Sequence, residues 1–146
     1  LDDDEEICNY VSPATTFMKE FRNGMKKFIK KRIKKQIFSK SICVLGKDAV
    51  RLKLTDDNSL RKTLITSESP TGVFFSEMLI GKNQILITSY SGNSVFSYVM
   101  HDKDIAAMHL AVFNMAWKQA MVEDAKLCKT KKIKKMMADL KGIKNY

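Results

Sequence analysis

The sequence predicts an α/β fold: a mixed β-sheet with flanking helices, ordered strand-helix-strand, then a three-strand meander and a long helix. Two stretches carry that prediction. Between Phe74 and Trp117, three strand-like runs (FFSEMLIG, QILITSY and SVFSYVMHD) are punctuated by Gly81-Lys82-Asn83 and Ser91-Gly92-Asn93, and they lead into the amphipathic run DKDIAAMHLAVFNMAWKQA. Nearer the start, the apolar run Ile7–Val11, a helical pattern and a second apolar run Ile37–Leu45 make a βαβ unit.

Each element has a local cause. Ser12-Pro13 supplies an N-cap followed by proline at the first helical position. Phe17, Phe21, Met25, Phe28 and Ile29 then recur at helical spacing, and the basic run Lys30–Lys35 suits the negative end of the helix dipole. Gly24 weakens this helix by about 1 kcal/mol relative to alanine without ending it. From Gly46 to Leu60 the signals conflict: RLKL reads as a strand, and DDNSLRKT as a turn or short helix. Leu64–Thr66 reads as a strand fragment, and the Ser67–Gly72 stretch is a loop by composition. Asp102 is placed to cap the long helix, with Asp104 adding favourable charge in its first turn. We therefore expect one α/β domain over residues 1–127 and a basic C-terminal tail over 128–146, with a helical pattern in Ile133, Met136, Met137 and Leu140.

At 146 residues and 45% apolar content, the chain is large enough to bury a sizeable core in one domain. Its longest apolar run, Ile105–Trp117, is too short to span a bilayer and is broken by His109 and Asn114, so no membrane insertion is expected. Cys8, Cys43 and Cys128 are odd in number, and two lie in apolar runs. They read as free thiols in a reducing cytoplasm, with no disulfide framework and no metal site. The net charge of +10 is concentrated: ten of the 26 basic residues lie between Lys19 and Lys40, and eight between Lys126 and Lys144. Such runs fit an acidic partner, such as DNA or RNA or an anionic membrane surface, or serve only to keep lysine-rich helices soluble.

No catalytic constellation emerges. There is no glycine-rich phosphate loop and no nucleophile in a GxSxG setting. His101 with Lys103 begins like the HxKxxxxD signature of phospholipase D-like enzymes, but the aspartate position is Met108. His109, between Ile105 and Phe113 on the long helix, reads as a core-edge histidine. No cofactor is expected. Glu77, a charge inside an otherwise apolar strand, is the most telling carboxylate. It either lines a small-molecule pocket with Tyr90 and Tyr98 or pairs with a lysine at the rim.

Several pieces, in their order, resemble one family. They are Phe28–Ile37 leading into a strand, Leu60-Arg61-Lys62, the segment Glu77–Ile87, and Asp102–Ala106 with Phe113 and Trp117. Together these are similar to the phospholipase D-like effector domain of TrmB-like transcriptional regulators, over about residues 5 to 122. The resemblance implies a non-catalytic phospholipase D-like half-domain that senses a small-molecule effector, often a sugar, and helps form a homodimer. It implies that DNA is read mainly by a preceding winged-helix domain. Gln36 departs from the pattern, standing where the family usually has a glycine helix stop.

The expectation is a regulatory, ligand- or partner-sensing, dimerising domain of a transcription regulator. One alternative is a stand-alone nucleic-acid-binding protein acting through residues 26–35 and 126–144, with Lys30, Lys31, Arg32, Lys34, Lys35, Lys129, Lys131, Lys132, Lys134 and Lys135 as contacts. The other is a degenerate phospholipase D-like phosphodiesterase.

Overall fold

The computed structural model describes residues 6–11, 19–67, 76–91 and 94–141. Its sheet is six-stranded and mixed, in the order β3-β2-β1-β4-β5-β6. Strands β1 (Glu6–Val11), β2 (Phe38–Val44) and β3 (Arg61–Thr66) are parallel. They are joined by helix α1 (Lys19–Lys34) and by helix α2 (Lys47–Leu54), which is followed by a 3-10 turn (Asp57–Ser59). Strands β4 (Ser76–Ile80), β5 (Gln84–Ser91) and β6 (Ser94–His101) form an antiparallel meander, and β4 joins it to β1. Helices α3 (Lys103–Leu127) and α4 (Lys131–Lys141) complete the chain.

The mixed α/β architecture is as expected from the sequence; the observed order adds α2 and β3 between the strand-helix-strand unit and the meander, and α4 after the long helix. The predicted start of α1 at Ser12-Pro13 falls outside the described residues. RLKL is helical, not a strand: it belongs to α2, whose Ala49 and Val50 point into the core. Four residues fit either period, and the burial of adjacent Ala49 and Val50 on one helix face decided it. Beyond it the strand fragment grows into the full β3. Asp102 caps α3 as expected, its carboxylate accepting from the amides of Asp104 and Ile105 at 2.9 Å each. The helix runs ten residues past Trp117, to Leu127.

Strand register divides the side chains between two layers. Cys8, Ile42, Leu64, Ile80 and Ile85 face α3 and pack on Ala106, Phe113, Trp117 and Ala120. Phe113 is the centre of this layer, stacked on Trp117 with ring centroids 5.7 Å apart and met edge-on by Tyr10 at 5.2 Å. The other face carries Val11, Cys43 and Ile65 beneath α2 and α4. α4 is part of this second core: Ile133 is fully buried there, and Met136, Met137 and Leu140 pack around it. The segment expected as a tail from residue 128 thus contributes to the folded domain up to Lys141.

α1 ends by backbone chemistry. Gln36 adopts φ 57°, the left-handed conformation that favours glycine after a helix, and the Ile37 amide returns to the Arg32 carbonyl at 3.1 Å. The position is one where glycine is the usual residue. The geometry is kept and a glutamine bears its cost. Leu60, at φ 47°, repeats the device before β3.

Candidate functional site

Strand register places Asn9, Glu77, Leu79, Leu86, Thr88 and Ser97 on one face of the sheet, across β1, β4, β5 and β6. Met25 and Phe28 of α1 roof these side chains, and a pocket of about 230 Å³ remains between helix and sheet. Its walls are mostly apolar. Its polar groups are held by partners of their own. Asn9 Oδ1 accepts from Ser41 Oγ at 2.6 Å, the Thr88 and Ser97 hydroxyls meet at 3.2 Å, and Tyr90 donates its hydroxyl to Glu77 at 3.4 Å. Burial, the charge of Glu77 and that hydrogen bond together push the Tyr90 phenol far above its usual value. Tyr90 therefore stays a neutral donor, and the acceptor at this end of the pocket is a carboxylate. A carboxylate accepts several donors at once, so the arrangement is chemically suited to a ligand's donor group beside an apolar body.

Of the three pocket residues expected from sequence, Glu77 lines the pocket and Tyr90 reaches it only through its hydrogen bond to Glu77. Tyr98 does neither. It pairs with Ile87, which lies in the α3 layer, so Tyr98 is on the opposite side of the sheet and 63% exposed. Counting across the turn would have placed it: Ser91 pairs with Ser94, and an odd residue of β5 then always meets an even one of β6. Sequence reasoning missed Asn9, Thr88 and Ser97, whose only signal is shared strand parity with Glu77.

The basic runs separate into surface and interior. Lys30, Lys31, Lys34 and Lys35 of α1 are exposed, as are Lys129 and Lys131, Lys132, Lys134 and Lys135 of α4. Arg32 is corrected: it is 3% exposed, and its guanidinium donates to the carbonyls of Ile37, Leu60 (2.9 Å) and Ser59. Burial and then the nearby Arg61 charge lower its pKa, yet three carbonyl acceptors hold the charged fork in place. It is a structural cation and not a surface contact. α2 and α4 pack on the face of the sheet that α1 also covers, so runs a hundred residues apart in sequence share one layer.

His101 ends β6, exposed, and the Asp102 carboxylate beside it is engaged in capping α3. Among the described residues no group of three or more His, Cys, Asp or Glu side chains is arranged to hold a metal ion. No helix among them is long and apolar enough to cross a membrane. Cys8 and Cys43 are buried, their thiols pushed up to about 11 and about 12 chiefly by desolvation; Cys128 is half-buried and also raised, by burial and by Asp124. Comparison of the chain with protein-family models, curated proteins and solved structures returned no match.

Proposed function

We propose that this chain is a non-catalytic, ligand-sensing domain of a transcription regulator that works as a homodimer. The observation that carries the reading is the pocket under α1, whose apolar walls end at Glu77. Its ligand is a small molecule with an apolar body and a protonated amine or comparable donor head, recognised by a carboxylate in a chain that is otherwise strongly basic. The phospholipase D-like resemblance supports a sensing role, and the commitment of Asp102 to the helix cap supports the absence of turnover at His101.

Thermal-shift titrations with apolar primary amines and with carboxylates of equal shape test this. The amines should raise the melting temperature and the carboxylates should not, with Glu77→Gln weakening the amines roughly tenfold through loss of the charge-assisted bond. No stabilisation by any amine, or equal stabilisation in the variant, overturns the reading.

A second reading is favoured by the single layer that carries both lysine runs: a nucleic acid held through its phosphates. With roughly six such contacts, affinity should fall about a thousandfold between 50 and 200 mM salt. Negligible affinity for duplex DNA and for RNA at 50 mM would eliminate it.

A further inference from the structure

Among the described residues β6 is the edge of the sheet, hydrogen-bonded to β5 alone, and every one of its eight residues is exposed. Its register with β5 runs unbroken from Ser94 to His101, with no bulge to twist the edge away. It contains no proline and, from Ser94 to Met100, no charge. These are the devices by which sheet edges ordinarily avoid pairing, and all are missing. Apolar side chains line both sides of the strand instead. By register, Phe96, Tyr98 and Met100 extend the α3 layer, and Val95 and Val99 extend the opposite one. They are exposed by 39% to 63%, so a large apolar surface meets water on each side.

We propose that β6 pairs antiparallel with β6 of a second copy of this chain, joining two six-stranded sheets into one. The pairing deepens the regulatory reading by naming its partner, and it is measured without any ligand, so its failure and the pocket's failure are separate results.

Three features select a second copy over other occupants. A strand with no lysine or arginine offers little to nucleic acid or to an anionic membrane. An acidic peptide would be drawn to the lysines of α1 and α4. Two copies of a chain with net charge +10 repel wherever their basic surfaces approach, and β6 is an uncharged surface on which they can meet. α4 packs with α2 at the β3 side, and five strand spacings put β3 about 24 Å from β6, roughly three Debye lengths at physiological salt. The lysines of α1, whose Met25 and Phe28 share a pocket with Ser97 of β6, lie nearer, so salt should strengthen the pairing. An antiparallel two-fold centred near Ser97 and Tyr98 also sets the charged Asp102-Lys103-Asp104 end of one strand beside the uncharged turn end of the other. Like charges do not face each other across the new ladder.

Sedimentation velocity of the whole chain at 150 and 500 mM salt, over a hundredfold range of concentration, tests the pairing. A dimer that persists or tightens at high salt is expected. Val99→Lys places two lysines in each symmetric interface and should raise the dimer dissociation constant at least roughly tenfold, with an unchanged circular dichroism spectrum. Under mild oxidation, Tyr98→Cys should give a covalent dimer beyond that of the unaltered chain. Met115→Cys, on the outward face of α3 at 73% exposure, should not. A monomer throughout, a dimer indifferent to Val99→Lys, or cross-linking at Met115 in place of Tyr98 overturns the proposal.

Discussion

The two edges of the sheet are finished in opposite ways. Along β3, side chains from α2, from the turn after it and from α3 meet the outward backbone groups one after another. Lys53 donates to the Thr63 carbonyl at 2.8 Å, and Asp56 accepts from the Thr63 amide at 2.6 Å. Asp124 accepts from the Ile65 amide at 2.9 Å, and Glu123 from the Ser67 amide at 3.0 Å. Asp124 also holds Lys53, 2.9 Å from both of its oxygens, while Arg61 locks Asp56 at 2.9 Å. Along β6 no charged side chain stands guard at all between Ser94 and Met100. The difference teaches where a chain of this design tolerates a partner. A strand whose amides and carbonyls are already satisfied by its own side chains is closed to pairing, and one lined with uncharged apolar residues is open to it.

The contrast can be broken from the closed side first. Asp124→Ala strips a partner from Lys53 and from the buried Ile65 amide together, and should cost about 3 kcal/mol in urea unfolding. A loss under about 1 kcal/mol would mean that the cap is ornament. Asp56→Ala, which leaves Arg61 and the Thr63 amide without their carboxylate, should cost about 2 kcal/mol by the same measurement. Smaller and opposite in sign, Gln36→Gly relieves a left-handed φ at a helix end, and Gly24→Ala fills open space within a helix. Each should stabilise by about 1 kcal/mol, raising the urea midpoint. The smallest effect belongs to the open edge: Val99→Lys should change the stability of the monomer by less than about 0.5 kcal/mol, because that side chain is already in water. A large loss would show that β6 is held by packing and not merely exposed.

Alkaline pH sharpens the picture of the interior. Cys8 and Cys43 have folded pKa values raised from the ordinary 9.0 to about 11 and about 12. The unfolded chain therefore releases these protons first. Stability from the two thiols is intact below about pH 9 and declines as pH rises toward 11 and 12. Circular dichroism against pH should show it, with Cys8→Ala lessening the decline. Thiol titration with a disulfide reagent at pH 8 should label Cys128 first.

Much of the fold was legible because its signals are local. The turn residues at Gly81-Lys82-Asn83, the cap at Asp102 and the 3.6-residue recurrence around Phe113 each act within a few positions of themselves. α2 was misread because RLKL is too short to separate a period of 2 from one of 3.6. The pocket was half legible: Glu77 announces itself as a charge among apolar neighbours, whereas Asn9 and Ser97 belong to it only through strand register. The closed edge was not legible at all. Asp124 lies 59 residues from the Ile65 amide that it caps, and nothing near it in the chain marks it as more than a helix-end acid. Arg32 failed for the converse reason, since a run of six mostly basic residues reads as uniform until one of them turns inward.

That inward turn has a practical consequence for experiments on the basic surface. The Arg32 guanidinium rivets together the end of α1, the entry to β2 and the approach to β3 through the carbonyls of Ile37, Leu60 and Ser59. Neutralising residues 30–35 as a block would loosen all three and abolish any bound state by collapse of the scaffold. The result would masquerade as proof of a phosphate contact. Charge-reversal work here has to spare position 32 and alter Lys30, Lys31 and Lys34 alone.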